Sequence, residues 1–110
     1  MPVRGIRRRY LAVLYKAEKP LQGSLLFKAI QAQLTKLFGE YTASRAQLRL
    51  IHVDNSVLVI RCSHLFLQYV RTAIASTRRV EEAAVVAEPI LVSGTIRTLR
   101  EKLKSLLEGA

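Results

Sequence analysis

The sequence is short of most of what a stand-alone enzyme or a membrane protein needs. It contains 1 cysteine and no tryptophan in 110 residues. A lone thiol, Cys62, rules out an internal disulfide and fits a reducing compartment; its apolar and basic neighbours read as a buried structural site. Carboxylates are also scarce, at 8 Asp and Glu, and Glu81-Glu82 is the one adjacent pair, so no set for acid–base chemistry stands out. Cys62 and His64 are far from His52 and lack the spacing of metal ligands. The 5 glycines form no phosphate-cradling loop. No apolar run nears the roughly 18 residues of a membrane span. Met1 to Tyr10 is basic but has neither the apolar core nor the cleavage site of a signal peptide. These absences predict a cytoplasmic, single-domain protein spanning residues 1–110, away from membranes and binding no cofactor of its own.

What remains is a hydrophobic chain with a one-sided charge. Half of the residues are hydrophobic, enough for a sizeable core. Against the 8 acids stand 18 Lys and Arg, a formal net charge of +10. In a domain of this size such a balance predicts an anionic partner, nucleic acid before membrane, because each neutralised phosphate releases counterions.

Hydrophobic periodicity orders the elements. Tyr10 to Tyr15 is apolar at both parities and reads as a strand buried on both faces. Pro20 and Gly23 end that segment. Ser24 is placed to cap a helix over Leu25 to Phe38, with Leu26, Ile30, Leu34 and Leu37 on one face and Gly39 as its stop. Arg45 to Val53 alternates as a second strand, Asp54-Asn55 is a turn, and Ser56 to Arg61 is a third strand. Ser63 caps a helix over Leu65 to Arg79. The latter part of Val80 to Val92 reads as a fourth strand, with Pro89 marking an edge or a bulge. A terminal helix over residues 96–107 carries Ile96, Leu99, Leu103, Leu106 and Leu107 on one face and Arg97, Arg100, Lys102 and Lys104 on the other. Strand-helix-strand twice over predicts an α+β, ferredoxin-like fold with the split βαβ order of an RNA-recognition motif. That fold is a four-stranded antiparallel sheet, two helices on one face and an added C-terminal helix. Two helices cover one sheet face, yet the first and third strands are apolar on both. Either the terminal helix or a partner protein, or both, must cover the second.

The basic residues suggest where an anion would sit. Arg4 and Arg7 lie in a basic arm (residues 1–7) that runs through Arg8 and Arg9 into the first strand, and guanidinium groups match phosphate oxygens in pairs. Arg61, Ser63 and His64 lie at a strand-to-helix turn, where the first helical amides are placed to meet a phosphate; an ordinary Ser63 cap with a surface His64 is the equal alternative. Arg71, Arg78 and Arg79 would extend the surface along the helix or simply be solvated. The third strand, Val57-Leu58-Val59-Ile60-Arg61, has no aromatic residue, and Tyr10 and Tyr15 have opposite parity, so base stacking on the sheet is not expected. Backbone and shape recognition of folded RNA fits better.

Three stretches, taken in order, carry a family resemblance: Arg8-Arg9-Tyr10-Leu11-Ala12; Val59-Ile60-Arg61-Cys62-Ser63-His64 with Val70-Arg71-Thr72-Ala73; and Val92-Ser93-Gly94-Thr95-Ile96-Arg97. Together with Leu37-Phe38-Gly39 they resemble the archaeal ribonuclease P protein component 2 family over nearly the whole chain. The resemblance implies a non-catalytic subunit that binds and stabilises the ribonuclease P RNA, which removes the 5′ leader from precursor tRNA. It implies direct pairing with protein component 3, indirect contact with precursor tRNA, magnesium serving the RNA, and RNA contacts among Arg8, Arg9, Arg61, His64, Arg71 and Arg97. Self-association stays open. Glu40-Tyr41-Thr42-Ala43 departs from the glycine-richer loop expected after Gly39. Two other classes remain in view: a ribosome-associated RNA-binding module, and an acylphosphatase-like hydrolase. The latter would need a glycine-containing phosphate loop that Arg7-Arg8-Arg9 does not provide.

Overall fold

A computed structural model describes residues 7–108; the arm's residues 1–6, Arg4 among them, lie outside the described residues. The chain runs β1 (Arg8–Ala17), α1 (Gly23–Ala46), β2 (Arg49–Asp54), β3 (Val57–Ser63), a 3₁₀ turn (His64–Phe66), α2 (Leu67–Ser76), β4 (Arg79–Val80), β5 (Ala83–Ser93) and α3 (Ile96–Glu108). The strands form one antiparallel sheet in the order β2-β3-β1-β5-β4. The α+β class and the three helices match the sequence reading. The sheet has five strands rather than the expected four, because the chain after α2 folds back as a short hairpin before entering β5.

That hairpin explains why β4 left no signature. It has 2 residues, joined to β5 through Glu81 and Glu82, which take φ of 48° and 68°. A two-residue turn with both φ values positive normally calls for Asn-Gly, since a Cβ is crowded there. Replacing Glu81-Glu82 with Asn-Gly should therefore raise the unfolding free energy by about 1 kcal/mol. Denaturant titration of the two proteins checks the sign.

The main core lies between the sheet and the α1/α2 layer. Strand side chains alternate between faces, so Leu11, Val13 and Tyr15 of β1 meet Leu58, Ile60 and Cys62 of β3 on this side. Leu26, Ile30 and Leu34 of α1 and Val70, Ala73 and Ile74 of α2 close over them, at helical spacing. Several helix boundaries differ from expectation. The second helix stops at Ser76 instead of Arg79, because Thr77 turns to an extended backbone and Arg79 enters β4. Gln22, not Ser24, stands at the N-cap of α1, and it makes no side-chain capping bond. Gly39 bends α1 through φ 88° and ψ 164°, but the helix resumes and ends only at Gln47, which takes a left-handed φ of 52°. Glu40 to Ala43 are thus helical, and β2 starts at Arg49 instead of Arg45. Gly23 has a separate reason to lack a side chain: a Cβ there would sit 2.6 Å from Val53 and 2.7 Å from Leu58.

The second face carries its own smaller core. Ala12, Val57 and Val59 are buried under Leu99, with Leu103, Tyr10, Ile51, Ile90 and Leu91 at the margin. The terminal helix therefore supplies part of the cover that the doubly apolar strands demanded. A groove of about 620 Å³ remains between the last turns of α3 and the β2–β3 end of the sheet, with Leu14, Leu107 and Val57 in its lining. Pro89 sits opposite Val13 where the β1–β5 register slips, the bulge its presence suggested. None of the described helices is long and apolar enough to cross a membrane.

Candidate nucleic-acid interface

Strand register gathers the arginines at one end of the sheet. β1 begins there with Arg8, which pairs with Ser63 at the end of β3, and Tyr10 pairs with both Arg61 and Ser93. β2 also begins there, and Arg49 lies directly opposite Arg61. Arg45 closes α1 and Arg97 opens α3 at the same end. The Arg9 guanidinium would lie 3.8 Å from a Cβ at Gly94, which fixes its place beside the β5–α3 corner. The opposite end receives Glu18, Asp54, Glu81, Glu82 and Glu108, mixed with Lys16, Lys19, Arg78 and Arg79. The molecule is therefore polarised along its strands, with one concentrated positive end and one mixed end.

The candidate residues divide by position. Arg7, Arg8, Arg9, Arg61, His64 and Arg97 are brought together at the basic end, whereas Arg71 sits exposed along α2, on the helix layer. His64 is engaged with the chain itself: its backbone N–H donates to the Arg7 carbonyl at 2.7 Å, and its Nδ1 lies 2.9 Å from the Arg7 amide, placed to accept. This pairing extends the β1–β3 ladder by a residue and anchors the base of the arm. Ser63 is buried, and its hydroxyl accepts from the Leu65 amide at 3.4 Å. It thus caps a three-residue 3₁₀ turn ahead of α2, so that amide is already satisfied by the chain.

Register shows one residue that sequence reasoning missed. Arg49 was hidden because the alternating letters start β2 four residues earlier; only the Arg49–Arg61 pairing puts the two guanidinium-bearing side chains on one face. Arg8, Arg49 and Arg61, with Gln47, Leu48 and Cys62, line an open cleft of about 350 Å³. Burial pushes the Cys62 thiol up to about 11, against a smaller opposing pull from Arg9, so the thiol stays neutral beside these cations. Among the described residues, the side-chain ion pair is Arg97–Glu101 at 3.7 Å; both partners are largely exposed, which makes it weak.

Aromatic residues are placed elsewhere. Phe38 and Tyr69 meet edge-on with centroids 4.9 Å apart, Phe66 lies 5.8 Å from Tyr69, and Tyr41 stands exposed beside Arg45, all on the helix layer. Tyr15 is buried in the main core. The sheet surface therefore has no aromatic pair on which successive bases could stack, in keeping with its sequence. Among the described residues no group of three His, Cys, Asp or Glu is placed to hold a metal ion.

An antiparallel sheet with a two-helix layer, a third helix on the other face and arginines concentrated at one end defines a small α+β module with one strongly cationic end. The model of the Rpp14/Pop5 family matches residues 9–104, and the chain belongs to that family. It is similar to the ribonuclease P protein component 2 of Methanosarcina mazei, at 28% identity over 102 residues, covering 93% of this chain and 88% of the relative. It is also similar to the protein of that name from Archaeoglobus fulgidus, at 32% identity over 96 residues, covering 87% of each. In three dimensions it resembles a chain of the yeast ribonuclease MRP cryo-EM structure, with a TM-score of 0.60 at 12% identity over 94% of this chain and 90% of the other.

Proposed function

We propose that this chain is a protein subunit of ribonuclease P that binds and braces the RNA through the basic end of its sheet. The supporting observation is the convergence of Arg8, Arg9, Arg49, Arg61 and Arg97 at one end of a protein whose family carries that role in the names of its relatives. In this reading the RNA removes the 5′ leader from precursor tRNA, and the protein adds counter-charge rather than reacting groups. Magnesium serves the RNA. Component 3 is the protein partner, precursor tRNA is met indirectly, and the complex works in the cytoplasm. The four long strands with α1 and α2 are the ferredoxin-like unit, to which β4 and α3 are additions. Packing phosphates of a folded RNA against one another is electrostatically costly, and a wedge of guanidinium groups lowers that cost by displacing condensed counterions.

Reconstitution tests this. Cleavage of precursor tRNA should require the RNA. Adding this protein with component 3 should raise the rate at low magnesium by about tenfold or more, as expected where several cationic groups replace bound counterions. Equal rates with and without the protein across a magnesium series would refute it.

A further inference from the structure

We propose that the cleft between Arg8, Arg49 and Arg61 is the seat of an RNA backbone phosphate, with Arg49 and Arg61 as its paired jaws. This deepens the function proposed above and rests on it. Arg49 and Arg61 are direct cross-strand neighbours, which places their Cβ atoms about 5 Å apart on one face. Like charges in that arrangement destabilise a sheet. Arg8, on the neighbouring strand, projects from the same face, since it shares its parity with Tyr10, the partner of Arg61. Three arginines on one face thus line one cleft, and the ion pair found among the described residues involves none of them. The fold tolerates an unfavourable cluster that an anion would convert into a favourable one.

The shape and lining of the cleft select the ligand. Its 350 Å³ is small and open, and Leu48 is its only aliphatic lining residue. It has no aromatic wall, so a base or nucleoside would gain little there. Guanidinium groups offer paired N–H donors whose spacing matches two phosphate oxygens. Gln47 is held at the rim by its left-handed backbone, with its N–H satisfied by the Ser44 carbonyl, and it lines the same opening. A phosphodiester fits this set, and the chain's own RNA partner is the source of one.

The test is Arg49→Gln, read by the affinity of the protein for ribonuclease P RNA across a salt series. Arg49 is exposed, so the variant should fold, and its melting temperature should hold or rise as like-charge repulsion is relieved. Affinity at fixed salt should fall about tenfold, the effect of removing one charge-assisted hydrogen-bonded pair, and the salt slope should shrink by about 0.7 to 0.9. An unchanged slope in a protein that otherwise binds RNA would overturn the phosphate seat and leave the proposed function standing. A wild-type protein that does not bind the RNA at all would overturn both. A fall in melting temperature with no change in slope would make Arg49 structural and likewise overturn the seat.

Discussion

Leu99→Ala is expected to lower the unfolding free energy by about 3 kcal/mol. Leu99 is fully buried, and it lies against Ala12, Val57 and Val59, the inner residues of the second sheet face. Truncation removes the transfer free energy of the side chain and leaves a cavity that the flat strands below cannot fill. The groove beside α3 gives water a route to part of that space, which keeps the destabilisation from reaching the top of the range for buried leucines. For a domain of this size the change corresponds to a fall of about 15 °C in melting temperature. Leu106→Ala is the control: Leu106 lies on the same helix but is about half exposed, and its truncation should stay within about 0.5 kcal/mol. Calorimetry of the two variants decides whether α3 is an integral part of the domain. Equal, small effects would mean that the helix is only draped over the sheet and that the second face is stabilised in some other way.

This helix shows how far the sequence could be read. The apolar residues at both parities of β1 and β3 correctly demanded a cover for each sheet face, and the Leu stripe of residues 96–107 offered one. The depth to which the stripe docks was not legible, because all five apolar positions look alike in the letters. Leu99 is buried, Leu103 is partly so, and Leu106 and Leu107 remain exposed. Where a helix lies on a sheet depends on the corner at Ser93-Gly94-Thr95 and on the twist beneath it, neither of which is encoded in helical period.

Local pattern also misled at Ala46, Leu48 and Leu50. Their two-residue spacing reads as a strand, yet Ala46 closes a helix and is buried in the main core. The helical continuation beyond Gly39 has little apolar periodicity of its own, since Tyr41 is exposed and Ala43 and Ala46 are small. Tertiary packing of those alanines decides the matter over the local signal. The consequence reached the candidate site. With β2 begun at Arg45, Arg49 falls mid-strand and its neighbour cannot be named; with β2 begun at Arg49, it stands opposite Arg61. The arm, Arg61 and Arg97 were legible as single cationic positions, but their meeting at one sheet end depends on strand order, which a single chain's letters specify only through the fold. His64 was legible as a residue at the turn and not as a partner of Arg7, because that pairing spans 57 positions.

The largest effect on RNA binding is expected from moving charge at the basic end while keeping the total fixed. Arg8→Glu, Arg61→Glu and Arg97→Glu together take the net charge from +10 to +4, since each reversal removes two units. Lys16→Glu, Arg78→Glu and Arg79→Glu do the same at the mixed end. If binding followed net charge alone, both triple variants would weaken equally. If the basic end meets the RNA, the first should bind about a thousandfold more weakly near physiological salt, with a salt slope smaller by two or more, as three cations that neutralise phosphates give way to repelling carboxylates. The second should weaken by no more than about tenfold, because charges beyond a Debye length of about 8 Å from the RNA are screened. Folding should not obscure the comparison. Arg97→Glu exchanges the weak, exposed pair with Glu101 for a like-charge contact, but it also places an acid in the first turn of α3, and the two effects are small and opposite. Arg8 is exposed, and a glutamate at position 61 would turn its cross-strand pair with Arg49 into one of opposite charge, so the like-charge strain of the cleft is relieved. Arg61 is half-buried, and a parallel set with glutamine at that position guards against a local packing cost. The basic-end variant should thus melt no lower than the wild type while binding RNA far more weakly. Opposite signs for stability and affinity are the signature of a cluster retained for its ligand, since disrupting a structural cluster would lower both together.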